Sequence, residues 1–324
     1  MGANQRKAVR RHRPLDSGGR RLGASALNRS RHVTTQTVIR LALRSTTVGY
    51  VFALIFLPLA VLTWQSFEAG LDRFLQDLAA PQATAALWLT LETAAIATIM
   101  NAAFGTVSAV VLVRYEFPGR WLLNALVDLP FAIPTLVAGL MIAAIYGPTS
   151  ILGSWLQQGG MAVLYNRPGI ILAMLFVTMP FTIRSLQPVL MGLERDQEEA
   201  AFTLGAGPWT TFWKITVPSV LPGLLTGVFL TFVRALGEFG SIVIVAGNIP
   251  MKTQVASVYV YGEIESYNPQ AATSVSVLIL MLSFLALLLL ERLTRPPGER
   301  LPRWVPRTFG GPIRREAEQP TVAA

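Results

Sequence analysis

The chain has no cysteine, only two histidines, and a charged fraction of 14%, against roughly 25% in ordinary soluble domains. The missing cysteines exclude a disulfide framework, a thiol nucleophile and a thiolate metal site. His12 and His32 both lie in an arginine-rich N-terminal stretch, so no apolar segment can hold a histidine triad or a histidine zinc cage. No Gly-x-x-x-x-Gly-Lys-Ser/Thr stretch occurs anywhere, which excludes ATP binding through a phosphate loop. Close acidic pairs are also lacking inside the apolar runs, so an intramembrane enzyme has no credible set of residues.

What is present is apolar sequence, 52% of 324 residues. Six runs are long enough to cross the ~30 Å hydrocarbon core of a bilayer as helices. They cover 46–66, 84–113, 120–146, 169–191, 218–245 and 270–291. The expected fold class is therefore all-α and integral to the membrane, with about six spans. Residues 1–45 read as a basic extension without fixed structure, 46–293 as the membrane domain and 294–324 as a second unstructured tail.

The net charge of +9 is mostly a topology signal. Of the 27 lysines and arginines, 22 fall on the side that holds both termini and the 114–120 and 192–217 loops. Arg73, Arg167 and Lys252 fall on the other side, and Arg184 and Arg234 lie within spans. The positive-inside rule then puts both termini in the cytoplasm of a multi-pass plasma (inner) membrane protein. The basic stretches lack interleaved aromatics, so no nucleic-acid partner is expected; membrane lipid is the surrounding medium.

Four charges within the runs invite a functional reading, because charge at membrane depth is costly and faces the bundle interior or water. Arg234 and Glu238 stand four apart, on one face of an expected helix, roughly 24 Å from its cytoplasmic end. They fit a neutralising structural pair, an external gate or, for Arg234, direct contact with an oxyanion through its guanidinium fork. Asp128, close to Pro130 and Pro134, fits either a pathway lining or a structural hydrogen bond. Arg184, near the cytoplasmic end of its run, can snorkel and reads as structural or as pathway lining. Gly223 and Gly227 form a small-xxx-small spacing that permits close helix contact.

The loop between the fourth and fifth runs is the most informative segment. Glu194, Asp196, Glu198 and Glu199 crowd the start of a short helix-forming stretch, where acids suit a helix N-terminus. Ala200, Ala201 and Leu204 form its small apolar face. Gly205-Ala206-Gly207-Pro208 forces a turn, and Trp209, Phe212, Trp213 and Val217 then suggest a second short helix over 209–216. Such a hairpin either caps the bundle at the headgroups or inserts into a groove on a cytoplasmic partner.

The pattern Glu199-Ala200-Ala201, then Gly205, then Ile215 and Pro218 resembles the coupling-loop signature of importer-type ABC transporter permeases, with Val217 in the place of a leucine. The resemblance implies that a dimer of cytoplasmic ATP-binding subunits cradles this helix and that the chain hydrolyses no ATP itself. Arg234-Ala235-Leu236-Gly237-Glu238-Phe239-Gly240-Ser241, Asp128 through Thr135, and Val177 through Phe181 with Arg184 resemble the sulfate and molybdate branch. Gly247 through Ser257, with Tyr267-Asn268, looks most like the T-type subunit of the sulfate/thiosulfate importer. The resemblance thus implies a sulfate/thiosulfate permease, with a second W-type permease, an extracytoplasmic sulfate-binding protein and no cofactor. Arg234, Glu238, Ser241, Asp128 and Arg184 become pathway or gate candidates. A molybdate/tungstate permease is the near alternative. A secondary anion transporter working alone is the distant one, and it leaves the coupling-like loop unexplained.

Overall fold

Two apolar runs of this chain break, one at Ile133-Pro134 and one between Leu236 and Gly240. The structure is a computed structural model that describes residues 18–193 and 195–294, with side chains from Arg40 onward except at 195 and 196. All regular elements among these residues are helical.

Helix α1 runs from Gly18 to Phe67 and belongs to a first compact unit that ends at Gly70. Its apolar part, Arg40–Phe67, is long enough to span a membrane. The basic stretch expected to be unstructured over 1–45 is instead helical from Gly18. No proline lies between Pro14 and Pro58 to remove a backbone donor, and Pro58 itself lies inside the helix. Residues 1–17 and 295–324, and the expectations placed on them, lie outside the described residues.

The second unit starts at Leu71. It contains α2 (Leu71–Ala79), α3 (Pro81–Arg114), α4 (Arg120–Ala132), α5 (Thr135–Tyr146), α6 (Ile151–Gln158), α7 (Arg167–Gly192) and α8 (Arg195–Thr203). Then come α9 (Pro208–Thr211), a π-helical turn (Phe212–Thr216), α10 (Val217–Leu236), α11 (Gly240–Ala246), α12 (Ala256–Glu265) and α13 (Pro269–Thr294). Among the described residues of both units, five helical stretches are long and apolar enough to cross a membrane, or six if α4 and α5 together make one bent span. The boundaries of α3, α7 and α13 lie within three residues of those expected.

The third run is not one straight helix. It breaks at Ile133-Pro134, and α5 leaves α4 at 113°. Proline removes a donor and pushes its predecessor out of the helical region; Ile133 is accordingly extended, at φ −86° and ψ 126°. The fifth run is not one helix over 218–245 either, because it stops at Leu236 and restarts at Gly240. The two resulting half-helices pack together through glycines. A Cβ on Gly139 of α5 would lie 2.9 Å from Ser241 Cα, and one on Gly240 would lie 3.0 Å from the Leu136 amide.

The small-xxx-small pair has a clear packing use. A Cβ on Gly223 would meet Val189 at 2.7 Å, and one on Gly227 would meet Thr182 Cα at 2.8 Å, so both glycines let α10 lie close on α7. Between the helices, several polar side chains pair across the contact. Asn101 donates to Thr178 Oγ1 at 2.8 Å, and the Thr182 and Thr231 hydroxyls lie 3.0 Å apart. The main core joins α3, α5, α7, α10, α11 and α12 around Ala97, Met174, Ile242 and Val258. A second cluster near the α7–α8 end gathers Ala109, Leu112, Val127, Ile183, Leu186 and Val220.

Candidate coupling site

Helix α8 ends by a defined hydrogen-bond pattern. Ala206 N–H donates to Ala201 O at 2.9 Å and Gly205 N–H to Phe202 O at 3.0 Å, with Gly205 at φ +83°. This is the Schellman closure, in which the residue just past the helix takes the left-handed conformation that glycine adopts without strain. Gly205 therefore acts through its backbone, since a Cβ there would meet nothing within 4 Å.

The expected second short helix is not separate. Pro208 opens a continuous helical stretch through Leu236, interrupted only by the π turn. Within that turn Val217 N–H donates to Phe212 O, five residues back. Pro218, which has no N–H to give, follows at the point where α-helical bonding resumes. Ile215 lies inside the turn, so two of the six motif residues mark this widened register.

The motif divides between two faces. Ala201 is buried, whereas Glu199, Ala200 and Gly205 are exposed. Of the small apolar face expected from Ala200, Ala201 and Leu204, Ala201 is buried while Ala200 and Leu204 face outward, Leu204 being 88% exposed. Phe202 and Trp209 are also exposed. Exposed apolar residues beside an exposed glutamate give α8 a surface suited to an interaction. The aromatic residues that follow pack on one another, with Trp209–Trp213 and Phe212–Trp213 ring centroids 5.8 and 5.3 Å apart.

Glu198 turns inward. Both of its carboxylate oxygens take bonds from Arg114, Nη1 to Oε2 and Nη2 to Oε1, each at 2.7 Å. Thr216 Oγ1 donates to Oε1 at 2.7 Å as well. Bidentate charge-assisted bonds fix direction as well as distance, and removing one partner from such a half-buried group costs about 1–3 kcal/mol. Sequence reading passed over this role for Arg114 and Thr216, and no local spacing could supply it, because Arg114 and Glu198 are 84 residues apart.

Asp128 and Arg184 are brought together. Arg184 Nε donates to Asp128 Oδ1 at 2.7 Å and Nη2 to Oδ2 at 2.5 Å. Its Nη1 donates to Asn124 Oδ1 at 2.9 Å and to Gln187 Oε1 at 2.5 Å. This network ties α4 to α7, and it fills the guanidinium fork that an oxyanion would need.

Arg234 and Glu238 also meet, at 2.7 Å, although not on one helix face. Glu238 lies past the end of α10, where its side chain is 1% exposed. Its Oε1 accepts from the backbone N–H and the hydroxyl of Ser241 in the first turn of α11. Its backbone carbonyl accepts from Ser257 Oγ at 2.6 Å. Arg234, Glu238 and Ser241 thus hold the α10–α11 break, while Asp128 and Arg184 form a separate group.

The family model for the inner membrane component of binding-protein-dependent transport systems matches residues 101–295. The chain belongs to this family. A probable sulfate transport system permease protein cysT from Nephroselmis olivacea is 45% identical over 242 residues, 75% of this chain and 85% of that one. The sulfate transport system permease protein CysT of Escherichia coli is 40% identical over 256 residues, 79% of this chain and 92% of that one. Among solved structures, a chain of a bacterial alginate ABC transporter, in complex with an alginate-bound periplasmic protein, superposes at a TM-score of 0.67 and 17% identity. It covers 81% of this chain and 95% of that one, a likeness of fold alone.

Membership gives these parts their setting. The protein is a multi-pass inner membrane transport component rather than an enzyme. The matched stretch contains α8, the π turn and Asp128, Arg184, Arg234 and Glu238.

Proposed function

We propose that this chain is the permease subunit of an ATP-driven sulfate/thiosulfate importer, forming half of a translocation pathway. The observation that carries the reading is α8. It is a short helix closed by Gly205, and it presents Glu199, Ala200, Phe202 and Leu204 outward from a chain with no phosphate loop of its own. The names of relatives at 40–46% identity support sulfate as the substrate.

In this reading both termini and α8 face the cytoplasm, in keeping with the lysine and arginine distribution. A dimer of ATP-binding subunits receives α8 through its exposed face. A second permease of the W type completes the pathway, and an extracytoplasmic sulfate-binding protein delivers the anion at the opposite end. ATP binding draws the two coupling helices inward and opens the pathway outward; hydrolysis resets it. Glu199 supplies the exposed charge of the docked surface, and Ala200 beside it allows close approach, while Ala201 lies on the buried face. Gly205 sets the exit angle, and Ile215 with Pro218 sets the register in which force enters α10.

Reconstitution with the partner permease, ATPase and binding protein tests this. Radiolabelled sulfate uptake is expected to require ATP and the binding protein, to be competed by thiosulfate, and to resist molybdate. Uptake by the purified single chain without ATP would overturn the coupling role, and stronger competition by molybdate would reassign the substrate.

A further inference from the structure

Glu198 directly precedes the Glu-Ala-Ala motif and points the opposite way, into the bundle. Three elements meet on its carboxylate: α8 itself, the end of α3 through Arg114, and the π turn through Thr216. The chain already links α8 covalently to α7 on one side and to the π turn and α10 on the other. Helix α3 has no such link, since Arg114 and Glu198 stand 84 residues apart.

Helix α3 is nonetheless the element best built to carry displacement across the molecule. It has 34 residues without a break, about 51 Å at 1.5 Å per residue. Its Arg114 end packs through Ala109 and Leu112 against α7 and α10. Its other end packs through Ala83, Ala86 and Leu87 against α12 and α13. There Gln82 Nε2 also donates to Gln254 Oε1 at 2.8 Å, just ahead of α12. Thr90 Oγ1 accepts from the Ala256 amide at 2.8 Å.

We propose that Arg114, Glu198 and Thr216 form a joint that carries movement of α8 directly into α3, so that Arg114 and Glu198 are positioning residues for coupling. The joint has meaning only if α8 docks an ATPase, as proposed above. A guanidinium fork on a carboxylate suits the task because two parallel bonds resist rotation as well as separation. Thr216 ties the same carboxylate to the π turn, a local register shift of the kind concentrated at functional sites. Movement then reaches the far end through α3 as well as through α7 and α10.

The test uses the reconstituted transporter and reads sulfate uptake per ATP hydrolysed, ATPase co-purification and Tm together. Arg114→Ala and Glu198→Gln are each expected to lower uptake per ATP by about two- to thirtyfold, the range produced by residues along a coupling route, with the ATPase still bound. Arg114→Lys, which keeps the charge and loses the fork, falls between. Thr216→Val removes one hydroxyl and gives a smaller loss, so the proposal stays testable if a charge variant fails to assemble. The reversed pair, Arg114→Glu with Glu198→Arg, is expected to recover uptake per ATP to within about twofold, the signature of direct coupling. Ratios unchanged in the single variants, or a reversed pair no better than either, would overturn the joint; a lower Tm with an unchanged ratio would leave the contact purely structural. ATP-independent uptake by the unmodified transporter would remove the coupling function and the joint with it.

Discussion

Ser241 gives both its backbone N–H and its hydroxyl to one oxygen of Glu238, at 3.1 and 2.9 Å, while Arg234 holds the other at 2.7 Å. The carboxylate thereby caps the first turn of α11 and anchors the last turn of α10 across a three-residue break. Arg234 is 34% exposed and can be solvated without its partner, so Glu238→Ala is expected to cost about 1–3 kcal/mol, the usual result of stranding hydrogen-bonding groups, and to lower Tm in detergent. Arg234→Lys keeps a cation but loses the planar fork. If the pair serves as a gate, uptake falls while Tm changes little. Unchanged uptake and coupling in Arg234→Lys would reduce Arg234 to a structural partner.

The sequence points to the Arg234–Glu238 pair through four-residue spacing on a helix, yet the helix ends between the two residues. The contact survives because a chain leaving a C-terminus still turns within reach for one or two residues. The breaks themselves were harder to read. Pro58, Pro180, Pro188 and Pro222 all lie inside intact helices, so proline alone does not mark a break in a membrane segment. At Pro134 the deciding factor is tertiary: Gly139 and Gly240 let α5 and α11 approach more closely than side chains would permit. Apolar length made the five continuous spans legible, and the motif residues located α8. Arg114 was legible only as a loop charge, because its partner is remote in sequence.

Glu199 and Gly205 should separate docking from stability. Glu199 is exposed, so Glu199→Ala is expected to leave Tm unchanged while uptake per ATP falls and ATPase co-purification weakens. Gly205→Ala has space for its methyl group but not the backbone conformation, at φ +83°; the strain of a side chain there is about 1–2 kcal/mol. The helix end should fray, with uptake reduced in proportion. Gly205→Trp adds bulk on the docked side, and normal uptake by that variant would contradict the coupling role.

Asp128 and Arg184 are expected to behave as one unit. Arg184→Gln leaves Asp128 without its fork, and Asp128→Asn leaves Arg184 with neutral partners only. Each should lower Tm, and the double variant should lose less than the sum, with a coupling of about 0.5–3 kcal/mol for residues in direct contact. Additive losses would show that the network is not cooperative. If Asp128 also lines the pathway, Asp128→Asn changes the apparent KM for sulfate by more than its change in Tm explains.

Close approach of α10 to α7 makes the sharpest steric prediction. At Gly227 an added methyl group meets Thr182 Cα at 2.8 Å together with the Ser185 hydroxyl, and backbone cannot move aside as a side-chain tip can. Gly227→Ala is therefore expected to cost about 1–3 kcal/mol through overpacking. Gly223→Ala meets Val189 Cγ2 at 2.7 Å and the Ser185 carbonyl oxygen at 3.1 Å; its closest contact is a side-chain methyl rather than a backbone Cα, so its loss should be smaller. Gly237→Ala, at φ −94° with nothing within 4 Å, is the control and should leave Tm unchanged. If all three variants unfold at one temperature, the α7–α10 contact is looser than the geometry requires. If Gly227→Ala alone is destabilised and also loses uptake, that contact must stay closed while the transporter cycles.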